Sequence, residues 1–236
     1  MTDLTVVSLF DGIGGFPEAF RRAGAKTVAT VEIDKAAAAI SARHFPDATH
    51  FDDVTKVTGD DLRAVGFVPD RGIITAGFPC QDLSVAGKRA GLAGSRSGLW
   101  WDVVRLLDET RTRWFLGENV PGLLSSNDGR DMGAILGSLA ELGYGIAYRI
   151  LDARHFGVPQ RRRRVFIVGH LGEPFTAAAE VLFELESSAG DSAAGGETRP
   201  GVADSTAWGA GVASRSGGGA SSNADSPIPK RVGADG

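Results

Sequence analysis

Up to about residue 170, short apolar runs alternate with stretches of helical period, and this alternation admits few folds. Residues 4–10 read as a buried strand, 14–23 as a helix that Gly24 can close in a left-handed conformation, and 27–33 as a second strand. Asp34 offers an N-cap to a helix over 35–44. A short strand precedes Asp52 and Asp53, and a short helix over 60–65 and a strand over 73–76 follow. A glycine-rich loop over 77–98 leads into a helix over 99–109. Residues 114–117, 144–151 and 165–168 read as further strands. Between the first two lies an amphipathic helix over 132–142, with Ile135, Leu136, Leu139 and Leu142 on one face. Strands linked through helices imply crossovers, hence an α/β fold with a doubly wound, Rossmann-like, mostly parallel sheet. In such sheets ligands collect at loops beyond the carboxyl ends of the strands. Four informative stretches sit there: residues 11–15, Glu32, residues 77–81 and residues 118–120.

The periodicity fades from about residue 173, apart from a short helical pattern over 176–186. Residues 187–236 hold 11 Gly, 10 Ala and 9 Ser, too little apolar surface to offset the entropy of ordering. We therefore expect a folded domain over residues 1–172 and a low-complexity tail over 173–236, largely disordered. Charge divides along the same line: near neutral in the domain, acidic in the tail, −4 in all. A strongly basic nucleic-acid-binding domain is excluded on composition. A single cysteine, Cys80, excludes an intrachain disulfide framework and a Cys-rich zinc site, and no metal ligands are assigned. The amino-terminal residues lack the pattern of a signal peptide, and no window is apolar enough to span a membrane. A reducing, cytoplasmic location is expected.

The stretch Phe10-Asp11-Gly12-Ile13-Gly14-Gly15 follows a strand and opens a helix, where glycines let a ligand approach the backbone. Glu32 ends the next strand and suits a carboxylate that accepts from ribose hydroxyls. Together they indicate a nucleoside cofactor, although the spacing departs from that of dinucleotide-binding loops. Asp53, after the third strand, could accept from an adenine amino group or serve as a loop cap. Cys80 lies behind Pro79 in a polar loop at a strand's carboxyl end, the position of a nucleophile in this architecture. Lys88 and Arg89 follow, and nearby cations can lower a thiol pKa.

These motifs, together with Glu118-Asn119-Val120 and the run from Gln160 to Arg164, stand in an order that resembles the cytosine-5 DNA methyltransferase family over about residues 5–169. The resemblance implies the class I S-adenosylmethionine-dependent methyltransferase sheet. It also implies transfer of a methyl group from S-adenosylmethionine to C5 of a cytosine flipped out of double-stranded DNA. In that reading Cys80 is the nucleophile that adds to C6, Glu118 acts at N3 and Asn119 buttresses the backbone at Pro79 and Cys80. Arg164 contacts the base or holds Glu118, and Arg162 contacts the target phosphate. The cofactor pocket draws on Phe10, Asp11, Gly12, Ile13, Gly14, Gly15, Glu32, Ile33, Asp53, Pro79 and Leu99. Gln81, Ser84, Lys88 and Gln160 fall to the DNA side. Trp100 and Trp101 are expected in the core rather than on a ligand. His44, His50, His155 and His170 are expected to be structural.

Family members continue into a target-recognition domain and final motifs that are not found here. The alternatives are a split or truncated methyltransferase subunit completed by a second chain, a non-catalytic S-adenosylmethionine-binding module, or a tRNA methyltransferase of the same family. An excess of arginine over lysine and abundant Ala and Gly fit a GC-rich bacterium or its phage, in a restriction–modification or DNA-protection setting.

Overall fold

The computed structural model describes residues 3–79, 98–172 and 176–183. The chain divides into two units, Met1–Ala189 and Gly190–Gly236, and the description below concerns the first. Seven strands form one sheet: β1 (Thr5–Leu9), β2 (Lys26–Val31), β3 (Thr49–Phe51), β4 (Gly72–Ala76), β5 (Trp114–Asn119), β6 (Tyr144–Asp152) and β7 (Arg163–Leu171). Their order is β3-β2-β1-β4-β5-β7-β6. The pairings from β3 to β5 are parallel, and β7 runs antiparallel to both its neighbours. A mostly parallel, Rossmann-like sheet is thus present, with one reversed strand that the apolar pattern alone does not orient. The segment from Asp152 to Arg163, which includes a single 3-10 turn over Ala153–Phe156, is too short for a helical crossover. An antiparallel return is its simplest outcome.

The helices are α1 (Gly15–Arg22), α2 (Lys35–His44), α3 (Gly59–Ala64), α4 (Leu99–Thr110), α5 (Arg130–Glu141) and α6 (Thr176–Leu182). Local chemistry starts them where the sequence indicates. The Asp34 carboxylate accepts from the N–H groups of Ala36 and Ala37 at 2.8 and 2.9 Å, and Thr58 with Asp61 closes a capping box on α3. Gly24 takes φ of 80° after α1. Right-handed crossovers moving outward from β1 to β3, then back and outward again through β4 and β5, put α1 and α2 on one face and α3 to α5 on the other. The main core lies on the second face, where Leu9, Ile74, Trp100, Leu106, Phe115 and Ile135 are buried together. The first unit continues beyond residue 172, with α6 lying on β6 and β7 through Ala178 and Leu182 against Ala147 and Val168. No helix among the described residues is long and apolar enough to cross a membrane.

Candidate active site

The loops leaving β1, β2, β4 and β5 lie side by side at the carboxyl edge of the sheet. After β1, Phe10 takes φ of 54°, Gly12 59° and Gly14 94°, so the strand turns into α1 through left-handed residues. Such a conformation costs a non-glycine residue roughly 1–2 kcal/mol. Phe10 is held in it by packing of its ring against the core and by the neighbouring Asp11 N–H, which donates to the Val31 carbonyl at 3.1 Å. At Gly14 a Cβ would come within 2.7 Å of the Phe45 ring, so glycine is required for the approach of α2.

The Asp11 side chain turns inward. Its two oxygens accept from the Ser8 hydroxyl at 2.7 Å and the Ser41 hydroxyl at 2.5 Å, tying the loop to β1 and α2. The Asp11 carboxylate is thus engaged within the fold by the two serine hydroxyls. Burial pushes the Asp11 carboxyl above its ordinary value, with the charge of Glu32 adding to the rise, while the two serine hydroxyls and the charge of His50 pull it down. A group whose folded pKa is raised contributes most below the ordinary carboxylate range and loses that contribution as pH climbs through the raised value. Asp11→Asn should therefore melt at or above the wild type at pH 7. The gap should close as pH is lowered through that window, a comparison that thermal melts at several pH values make directly.

Glu32 is half-buried at the end of β2. One carboxylate oxygen accepts from the Gly12 N–H at 2.8 Å and the other from the Asp34 N–H at 2.8 Å. The carboxylate is thus fixed over the glycine loop, with lone pairs left for a ligand's hydroxyls. Ile13 and Ile33 flank it at 63% and 76% exposure, an apolar pair with nothing of the described chain upon it. A Cβ at Gly12 or Gly15 would meet nothing within 4 Å, so the loop opens onto free space. Asp53 caps its own loop: its Oδ1 accepts from the Thr55 N–H and hydroxyl, and Lys56 lies 3.2 Å from Oδ2. Those Thr55 bonds hold its carboxyl below the ordinary value. Leu99 opens α4 and packs on the core.

The second half of the site is built on β4, β5 and β7. Phe78 is buried against Trp100, ring centroids 4.7 Å apart, and Pro79 is exposed beyond it. The Asn119 amide donates to the Phe78 carbonyl at 2.9 Å, and its oxygen accepts from the Val120 N–H at 2.8 Å. Asn119, only 5% exposed, thereby links the β5 loop to the backbone two residues before Cys80. Cys80, Gln81, Ser84 and Lys88 lie outside the described residues. On the opposite face of β5, Glu118 meets the arginine run. Arg164 Nε lies 2.8 Å and Arg162 Nη2 3.5 Å from the same oxygen, Oε1. Arg162, just before β7, and Arg164 within it lie on one side, as alternation requires, and both reach Glu118. A cavity of about 310 Å³ opens here, lined by Glu118, Arg162, Arg164, Leu151, Ala153, Phe156 and Phe166. Gln160 is exposed before the run.

Three residues with positioning roles were not singled out from sequence. Ser8 and Ser41 hold Asp11, and a polar residue inside the apolar run of β1 is the one signal for the first. Asp152 Oδ1 accepts from the backbone N–H groups of Arg154 and Arg162, at 3.3 and 3.2 Å, setting where the arginine run begins. Trp100 is 1% exposed, in the core as expected. His50 is structural, bonded to Thr30 and to the Phe45 carbonyl.

Known proteins resemble this chain in sequence and fold. The model of the C-5 cytosine-specific DNA methylase family matches residues 4–189. Type II methyltransferase M.BsuFI of Bacillus subtilis is 41% identical over 166 residues, 70% of this chain and 39% of that enzyme. Type II methyltransferase M2.BsuMI of Bacillus subtilis is 40% identical over 192 residues, 80% of this chain and 46% of that enzyme. The chain thus spans less than half the length of these relatives. Among solved structures, a chain assigned as a DNA modification methyltransferase encoded within an E. coli prophage superposes with a TM-score of 0.59 at 28% identity. That match covers 72% of this chain and 47% of the other. DNMT2 of Spodoptera frugiperda, 22% identical over 72% of this chain and 51% of its own, shares the fold with a TM-score of 0.59. The match runs through the glycine loop, the Asn119 brace and the Glu118–arginine cluster alike, and the chain belongs to the C-5 cytosine-specific DNA methylase family.

Proposed function

We propose that this chain is the cofactor-binding and catalytic portion of a DNA (cytosine-5-)-methyltransferase. One observation carries the reading. Glu118 is fixed by two guanidinium groups at the lip of a cavity, and the adjacent Asn119 braces the backbone that leads to Cys80.

The residues present fit S-adenosylmethionine. The Glu32 carboxylate is placed for vicinal hydroxyls, the bare side chains of Ile13 and Ile33 for the faces of an adenine, and the open loop at Gly12 and Gly15 for the amino-acid portion. When bound, it supplies an electrophilic methyl group. Cytosine C5 is a weak nucleophile, and addition of the Cys80 thiolate to C6 raises the electron density at C5. Glu118 Oε1 is held by Arg164 and Arg162, which leaves Oε2 to share or donate a proton at N3 as negative charge develops there. Once C5 carries the methyl group, loss of its proton re-forms the double bond and expels the thiolate. A cytosine inside a duplex cannot reach these groups, so the base is flipped out.

A second reading, in which DNA recognition comes from further polypeptide, is compatible with the span of less than half of each named relative. In either case the setting is the bacterial cytoplasm, or a phage-infected bacterium, as the bacterial relatives suggest. The deciding experiment follows labelled methyl from S-adenosylmethionine into mixed genomic DNA, with Cys80→Ala alongside. Label is expected in 5-methylcytosine with the wild type only, while both proteins bind the cofactor. Transfer by Cys80→Ala, or a wild type that does not bind S-adenosylmethionine, would overturn the assignment. Cofactor binding without transfer selects the second reading.

A further inference from the structure

Arg105 belongs to α4, but its guanidinium reaches beyond the helix. Asp102 Oδ1 and Glu109 Oε1, one turn to either side of it, accept from Nη2 at 3.1 Å and from Nη1 at 3.2 Å and so orient the group. The same two nitrogens donate to backbone carbonyls of another segment: Nη1 to Val57 at 2.8 Å and Nη2 to Val54 at 3.0 Å. Val54 and Val57 are buried in the stretch between β3 and α3, which belongs to no strand or helix. Carbonyls there have no ladder to join and need donors from elsewhere. Two bonds from one planar group also set the spacing of the two carbonyls, which a single ammonium does not reproduce. Glu109 tightens the same junction. Its Oε2 accepts from the Gly59 N–H at 2.7 Å, and a Cβ at Gly59 would come within 2.9 Å of the Glu109 Cβ.

The stretch that Arg105 holds adjoins the cofactor site. Asp53 precedes Val54 directly, and the Thr55 bonds to its Oδ1 make Asp53 and the backbone after it one rigid unit. At the other end of the link, α4 opens with Leu99, about 9 Å from Arg105 along the helix axis. The guanidinium therefore ties the segment of Asp53 to the helix of Leu99, two residues expected at the cofactor. We infer that Arg105 is a positioning residue of the cofactor site, which holds Asp53 at the distance from α4 where its carboxylate accepts from the adenine amino group. The inference rests on the S-adenosylmethionine reading above. Arg105 itself touches no cofactor in this account and acts through the Val54 and Val57 backbone.

The test compares the affinities of S-adenosylmethionine and S-inosylmethionine, in which an oxygen replaces the amino group, by calorimetry on the full chain. The wild type should prefer S-adenosylmethionine by about tenfold, since a carboxylate accepts from the amino group and repels the oxygen. Asp53→Ala should lose that preference. Arg105→Met should lose most of it too, through weaker binding of S-adenosylmethionine with the analogue little changed. Arg105→Lys keeps the charge but has one ammonium for two carbonyls, so its preference should be intermediate; it carries the test if Arg105→Met does not fold. Arg63→Met is the control. Arg63 donates to the Glu109 carbonyl at 2.5 Å and joins α3 to α4 without touching the Val54 stretch, so the preference should survive its loss. Equal weakening of both ligands in the Arg105 variants, with the preference kept, would make Arg105 a stabilising residue only and overturn the inference. A preference lost equally in Arg63→Met would overturn it as well, and so would a wild type that binds both ligands alike. A wild type that binds neither ligand would overturn the cofactor reading itself, and the role of Arg105 with it.

Discussion

Glu118→Gln should lower methyl transfer about a hundredfold or more while leaving S-adenosylmethionine affinity nearly unchanged. The amide keeps the size of the side chain and can still accept from Arg164, but it cannot pass a proton to the base. The arginines should rank by geometry. Arg164 sits 2.8 Å from Glu118 with both side chains 23% exposed, whereas Arg162 sits at 3.5 Å with 49% exposure. Arg164→Ala should therefore cost more turnover than Arg162→Ala, because the better-shielded pair is weakened less by solvent. Arg164→Lys should recover little, since a single ammonium does not reproduce the planar guanidinium edge. Steady-state rates with cofactor titrations on the four variants check the order. A Glu118→Gln enzyme at full rate would remove the carboxyl group from the mechanism.

Much of this arrangement is written in short-range chemistry, and there the sequence is readable. Asp34 before a run of alanines caps α2, and Gly24 closes α1, because both depend on residues within a turn of each other. The glycine loop, Glu32 and the Asn119 pair sit at strand ends, which the alternation of apolar runs locates. What stays hidden depends on partners distant in sequence. The inward turn of the Asp11 side chain depends on Ser41, thirty residues on, which donates to its carboxylate. The approach of Arg162 to Glu118 depends on the antiparallel pairing of β7 with β5. That antiparallel return leaves its one trace in the shortness of the segment after Asp152, a feature of length and not of residue type. Asp152 is invisible for the same reason, since its partner is the backbone of Arg162.

The largest loss of stability is expected from Trp100→Ala. Trp100 is fully buried, tilted against Phe78 at 4.7 Å and edge-on to Phe115 at 5.9 Å, and its indole N–H donates to the Ser138 hydroxyl at 3.1 Å. Truncating a buried aromatic to alanine costs about 3–5 kcal/mol in lost burial and residual cavity. For a domain of this size that lowers the melting temperature by roughly 10 °C, readable by calorimetry. The effect should also reach the site. Phe78 rests on Trp100 on one side and has its carbonyl held by Asn119 on the other, so the indole fixes the backbone that precedes Pro79 and Cys80. At a temperature where both proteins are folded, Trp100→Ala should therefore transfer methyl more slowly than its folded fraction accounts for. Trp100→Phe provides the control. It keeps an aromatic ring against Phe78 and gives up the bond to Ser138, whose hydroxyl still donates to the Ile135 carbonyl at 2.9 Å. Its turnover should stay close to wild type with a smaller loss of stability. If the two variants slow turnover equally, Phe78 does not transmit the packing of the core to the nucleophile loop.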